Sequence, residues 1–154
     1  MGPEEISTFS RTEQLLKVKV SDVMNRKVIT IDHDDLIGKA SRLMLENRLH
    51  ALLVMKDARP KYMISSYDLM KVSYEDSFNE SSADMLRTKV EELVKDQKLL
   101  SLPSNSYLID ALKIFVDYQI HSIPIIDEGR VNGIISLMDL ANWYLKTHEE
   151  LRKG

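Results

Sequence analysis

The stretch Gly133-Ile134-Ile135-Ser136-Leu137-Met138-Asp139-Leu140 decides how this chain is read. Gly133 to Ile135 is a short apolar run suited to a buried strand, and Ser136-x-x-Asp139 is a helix-start signature. The passage has one forerunner, Tyr62-Met63-Ile64-Ser65-Ser66-Tyr67-Asp68-Leu69. Ile64, Ser65, Asp68 and Leu69 match Ile135, Ser136, Asp139 and Leu140 at a constant spacing of 71 residues. Ala40/Ala111, His50/His121 and Arg59/Arg130 coincide at the same spacing. A self-match of this extent organises a chain more firmly than any single motif.

Working outward, Val28 to Ile31 is short and β-branched and predicts a strand. Asp32 to Asp35 is a polar break, and apolar residues at 36, 37, 40, 43 and 44 form a helical stripe. Ala51 to Met55 predicts a buried strand, Lys56 to Lys61 a turn containing Pro60, and Tyr62 to Ile64 a third strand. A helix opening at Ser65 carries Leu69 and Val72. The order then recurs. Val90 to Val94 echoes the opening at Val20, Leu99 to Leu102 predicts the first strand, and Tyr107, Leu108, Ala111, Leu112 and Phe115 the stripe. Ile120 to Ile126 is the second strand with its approach, Asp127 to Arg130 the turn, and the closing helix runs through Trp143, Tyr144 and Leu145. The divisions are an N-terminal helical extension (1–19, with Leu15 and Leu16 as packing contacts), repeat 1 (20–73), a polar and acidic linker (74–87) and repeat 2 (88–150). The fold class is α/β (α+β): two β-α-β-β-α repeats, each too small to stand alone, packed as a pseudo-twofold pair.

Composition narrows the function classes. With 44% hydrophobic and 29% charged residues the chain is globular in type. Its 21 basic against 24 acidic residues give a net charge of −3, which argues against a nucleic-acid partner. The absence of cysteine removes disulfides, thiol nucleophiles and zinc–thiolate sites. No apolar run approaches the roughly 18 residues of a membrane span, and the acidic start is no signal peptide, so no membrane role and a cytoplasmic location are expected. His33, His50, His121 and His148 lack metal-ligand spacing, and neither a P-loop nor GxGxxG is present. No catalytic residue, metal site or required cofactor emerges, so an enzyme is not expected.

The repeats resemble cystathionine-β-synthase (CBS) domains, and the tandem is similar to a Bateman module. The carriers are Ser21-Asp22-Val23-Met24, the helix around Ala40, Leu49-His50-Ala51-Leu52-Leu53-Val54 and Ile64 to Leu69. In the second copy they are Ile120-His121-Ser122-Ile123-Pro124-Ile125 and Gly133 to Leu140. The resemblance implies repeats packed through their sheets, with two clefts at that interface, and modules that pair again into homodimers. It implies a regulatory role: sensing an adenosine-containing ligand such as AMP, ADP, ATP or S-adenosylmethionine and passing the change to a regulated protein partner. The competing expectation is a structural CBS pair that serves dimerisation or protein docking without a nucleotide.

The same resemblance assigns residues. Asp139 would accept the ribose hydroxyls, with Ser136 and the first-turn N–H groups placed for a phosphate or ribose oxygen. Ile29, Thr30 and the Leu49 to Ala51 approach, with His50 and Ala51, would face that ligand from the other repeat. Asp68 and Ser65 would hold the second ligand, faced by Leu100, His121 and Ser122. In kinase γ subunits of this family an arginine can follow the histidine. Here Ala51 and Ser122 follow, which removes a bidentate phosphate clamp. Gly133 lets another group approach its strand closely, whereas Tyr62 occupies the matching place and would partly fill its cleft. Read from the residues alone, each Ser-x-x-Asp is a helix cap, with the Asp favoured at the positive end of the helix dipole. Both readings use the same geometry.

Overall fold

The computed structural model describes residues 16–77 and 87–153. Two compact units divide the chain, Val28–Leu100 and Met1–Lys27 with Ser101–Gly154.

In the Val28–Leu100 unit, β1 (Thr30–Asp32), β2 (Ala51–Lys56) and β3 (Arg59–Ser65) form one sheet in that order. β1 and β2 are parallel, with Ile31 opposite Val54, so a crossover must join them, and α1 (Ile37–Asn47) supplies it. Leu52, Leu53 and Val54 are fully buried, as befits a central strand covered on both faces. The β2–β3 loop is only Asp57-Ala58, both at positive φ, the backbone of a two-residue hairpin whose twist matches its strands. The turn predicted over Lys56 to Lys61 is therefore shorter, and Pro60 belongs to β3. Pairing slips between Val54/Tyr62 and Met55/Pro60, and a bulge on an edge strand is where proline does least harm. α2 (Ser66–Ser77) follows at once and continues through the first residues of the predicted linker. Residues 78–86 of that linker lie outside the described residues.

The other unit repeats the plan with β4 (Ser122–Asp127), β5 (Arg130–Ser136), α4 (Leu108–Tyr118) and α5 (Leu137–Lys153), while α3 (Val90–Val94) belongs to the first unit. Its sheet has two strands, and the strand predicted over Leu99 to Leu102 is reduced to one parallel bridge, Leu102 to Ile125. Leu102 N–H reaches Pro124 O at 3.2 Å and its carbonyl accepts Ile126 N–H at 2.9 Å. On one side the ladder stops because Pro124 has no N–H to donate. On the other, Ser104 N–H goes to the Asp127 carboxylate at 2.9 Å, whereas its counterpart His33 N–H extends the ladder to Met55 O at 2.9 Å.

The lead-in segments cross over. Val20 and Met24 are buried with Leu108, Phe115, Ile123, Ile125 and Ile135, all from the second sequence repeat. Val90 and Val94 are buried with Ile31, Met44, Leu52, Tyr62 and Ile64 of the first. Backbone bonds stitch both seams: Val20 N–H to Ser106 O and Val90 N–H to Asp35 O, each 2.8 Å. The sequence repeat and the packing unit are thus different divisions of the chain, each unit completing its core with the opening of the other repeat. In the N-terminal extension Leu16 is exposed rather than packed. Leu15 and the rest of 1–15 lie outside the described residues.

Candidate functional site

Both Ser-x-x-Asp stretches stand where a strand hands over to a helix. Ser65 ends β3 and Ser136 ends β5, paired with Ala51 and Ser122 across their sheets. His50 and His121 come just before those partners. Their side chains are exposed, and their carbonyls accept the N–H of Ser66 at 2.7 Å and of Leu137 at 2.8 Å. Each unit therefore gathers a histidine, the residue after it, a serine and an aspartate at one sheet end.

The caps are reciprocal in both copies. Asp68 Oδ2 accepts Ser65 N–H at 2.8 Å while Ser65 Oγ accepts Asp68 N–H at 3.2 Å. Asp139 Oδ2 accepts Ser136 N–H at 2.8 Å and Ser136 Oγ accepts Asp139 N–H at 3.1 Å. Two otherwise orphaned amides are satisfied each time. The remaining polar atoms differ. The Ser65 hydroxyl donates to Asp68 Oδ2 at 2.9 Å, and Gln97 Nε2 donates to Asp68 Oδ1 at 3.2 Å. Among the described residues, the Ser136 hydroxyl proton and Asp139 Oδ1 have no such partner. Sequence reading missed Gln97; nothing in a polar residue beside a lead-in helix singles it out.

Ile29 is half-buried against the core of the Val28–Leu100 unit, Thr30 is exposed at the start of β1, and Leu100 is half-buried. Gly133 does permit a close approach, by the chain itself. A Cβ there would lie 2.5 Å from Met24 Sδ, 2.8 Å from Met24 Cγ and 3.0 Å from Asn25 O. Asn25 and Ile134 exchange backbone bonds at 2.8 and 2.9 Å. Tyr62 lies in the core with Val94, the smaller counterpart of Met24. A large residue over glycine in one unit and a smaller one over tyrosine in the other lighten the crowding at each seam.

Among the described residues, Asp32, His33 and Asp34 offer donor atoms all within 4.8 Å, the one grouping suited to a metal ion. Those atoms already have internal work. Asp32 Oδ1 accepts Asp34 N–H at 3.0 Å, Asp34 pairs with Lys89 at 3.2 Å, and His33 Nδ1 meets Glu91 Oε2 at 2.7 Å. The hydrogen bond that His33 donates to Glu91 raises the His33 pKa above 6.5, with Asp34 and Asp32 adding to it against partial burial. Lys56 and then His33 hold the Glu91 carboxyl below its ordinary value. An open groove of about 420 Å³ at the start of α1, lined by Asp34, Asp35, Leu36, Gly38, Lys39 and Arg42, contains none of the predicted ligand residues.

Both units carry an antiparallel strand pair that runs into a helix through a capped serine and aspartate. The chain belongs to the CBS domain family, which it matches over residues 20–75 and 90–146. It is similar to the uncharacterized protein MJ1404 of Methanocaldococcus jannaschii, 26% identical over 152 residues. That match covers 94% of this chain and 35% of the relative, so the chain spans about a third of that protein's length. It is also similar to the CBS domain-containing protein YhcV of Bacillus subtilis, 28% identical over 123 residues, covering 79% of this chain and 82% of YhcV. Among solved structures, a CBS domain-containing protein (tm0935) of Thermotoga maritima superposes with a TM-score of 0.71 at 24% identity, covering 84% of this chain and 95% of that one. No described helix is long and apolar enough to cross a membrane.

Proposed function

We propose that the chain is a regulatory module, without catalysis of its own, that binds an adenosine-containing ligand (AMP, ADP, ATP or S-adenosylmethionine) at Ser136 and Asp139. The observation that supports this is the difference between the two caps. Asp139 keeps one carboxylate oxygen, and Ser136 its hydroxyl proton, uncommitted among the described residues, whereas Gln97 and the Ser65 hydroxyl take up the equivalent capacity at Asp68. A carboxylate with an open acceptor beside an open hydroxyl suits a vicinal diol, and charge-assisted bonds of that kind are the strong ones. His121 and Ser122 stand at the same sheet end; by family resemblance Ile29, Thr30, His50 and Ala51 are the adenine-facing positions for this ligand, and Leu100 goes with the second place at Asp68. The working compartment in this reading is the cytoplasm, where such nucleotides are available.

Isothermal titration with AMP, ADP, ATP, S-adenosylmethionine and NAD tests the reading. One site per chain, filled by one of the adenosine compounds well below about 1 mM, is the expected result; a dissociation constant of 1 mM marks only about 4 kcal/mol of binding. Silence from all five ligands would leave the structural alternative, a dimerising or docking module, in possession.

Dimerisation also has support of its own. On α2, Tyr67, Met70 and Tyr74 are all more than 60% exposed at i, i+3, i+7 spacing, and on α5 Leu137, Met138, Tyr144 and Leu145 are exposed. Apolar stripes of this kind mark association surfaces. In sedimentation equilibrium, Met70→Glu combined with Met138→Glu is expected to weaken a homodimer by about tenfold or more. Unchanged association of that variant would move the interface elsewhere.

A further inference from the structure

The Val28–Leu100 unit holds its lead-in helix by charge, and the matching places in the other unit carry different residues. His33 Nδ1 meets Glu91 Oε2 at 2.7 Å, and Lys56 Nζ bonds Glu91 Oε1. The imidazole comes from the turn after β1, the ammonium from β2, and the carboxylate from α3, the helix that the first sequence repeat borrows from the second. Backbone bonds run in parallel: Glu91 N–H to His33 O at 3.1 Å, Val90 N–H to Asp35 O at 2.8 Å and Ile37 N–H to Thr88 O at 2.9 Å. Around His33 stand Asp32 and Asp34, 3.8 and 3.5 Å from Nε2, with Lys89 on Asp34 and Lys39 on Asp35. Asp57 and Tyr62 act on Lys56 from the hairpin and from β3.

In the other unit the counterpart of His33 is Ser104 and that of Lys56 is Asp127, which accepts Ser104 N–H at 2.9 Å and bonds the Asn132 amide. Ser21 stands where Glu91 does. Neither Ser104 nor Ser21 carries a side chain that titrates near neutrality.

We infer that His33, Glu91 and Lys56 form a proton-controlled latch that fastens the 88–94 segment to the Val28–Leu100 unit and leaves the lead-in at Val20 indifferent to the same pH change. Protonated His33 gives Glu91 a charged donor on each oxygen. Neutral His33 keeps an N–H for the same carboxylate but loses the charge, so the seam loosens without parting. The His33 pKa is raised above its unfolded 6.5, so its contribution is complete below that value and is lost as pH rises through the folded one. Glu91 is lowered below 4.5, so its own contribution holds above that value and fails only in acid. The latch is therefore tightest in mildly acidic solution and slackens through neutrality, which makes segment 88–94 a pH-dependent element inside a regulatory module.

Hydrogen exchange of single amides reads this directly. Between about pH 5 and about pH 8, after correction for intrinsic rates, protection of the Val90 and Glu91 amides is expected to fall about two- to fivefold relative to the Val20 amide, the range open to a partly exposed pair. Glu91→Gln and His33→Gln should each flatten that dependence. Equal behaviour of the Val20 and Val90 amides, or an unchanged dependence in both variants, overturns the latch. Should the variants unfold, the wild-type protein decides: loss of Val90 protection that follows the titration of the His33 imidazole resonance upholds the latch, and a His33 midpoint at or below 6.5, or protection that does not follow it, overturns it.

Discussion

Replacing Gly133 by alanine is expected to lower the unfolding free energy by about 1–3 kcal/mol, the usual cost of forcing volume into a packed core. The new methyl would sit 2.5 Å from Met24 Sδ and 3.0 Å from the Asn25 carbonyl oxygen. The sulfur belongs to a nearly buried side chain and the oxygen to backbone fixed by its bonds to Ile134. Neither withdraws cheaply, because moving Met24 opens the core shared with Phe115, Ile125 and Ile135. Urea denaturation should show a lower midpoint with an unchanged slope. A Met24→Val, Gly133→Ala double variant copies the slimmer lead-in residue of the other unit, Val94. It should recover part of the loss, so the two single costs should fail to add. If Gly133→Ala stays within about 0.5 kcal/mol of the parent, the seam is looser than the geometry implies.

That seam is also where sequence reading stopped short. The repeat, the order of elements in its first copy and both caps were visible because each rests on local pattern: β-branched runs, a 3.6-residue stripe, Ser-x-x-Asp. Which core a lead-in segment fills is not local. Val20 and Met24, like Val90 and Val94, are apolar residues at one-turn spacing, and either core accepts such a pair. The early end of the first strand in the second copy was legible in principle, since Pro124 cannot donate to a neighbour. The rest of that loss depends on Asp127 capturing the Ser104 amide, a contact between residues far apart in sequence. Pro60 misled for the opposite reason. A proline near Asp57-Ala58 looked like a turn residue, while the bulge in β3 between Pro60 and Tyr62 lets it sit in an edge strand.

The candidate site divides along the same line. That Ser65, Asp68, Ser136 and Asp139 would cap helices followed from spacing alone. The difference between the two copies did not, because it is made by Gln97 and by the orientation of one hydroxyl. Capping consumes Oδ2 in each copy; the other carboxylate oxygen is taken by Gln97 at Asp68 and by no described residue at Asp139.

Asp139→Ala is therefore expected to separate two losses. Removing the carboxylate that accepts Ser136 N–H should cost about 0.5–2 kcal/mol of stability, the range for a lost helix cap. The same change should weaken the adenosine ligand by roughly 100-fold, equivalent to one or two hydrogen bonds to a charged acceptor. Asp68→Ala should cost comparable stability, since it gives up a cap and the Gln97 contact, yet leave affinity within about threefold of the parent, as expected for a residue away from the contact. Ser136→Ala belongs between them, losing the cap while keeping the open carboxylate oxygen that carries most of the affinity. Calorimetric titration and thermal melts on the three variants therefore yield a pattern rather than one number. Equal affinity losses at Asp68 and Asp139 would mean that Gln97 yields its place and both aspartates bind. Stability losses without any change in affinity would reduce both serines and both aspartates to caps, and the ligand would have to be sought at another surface.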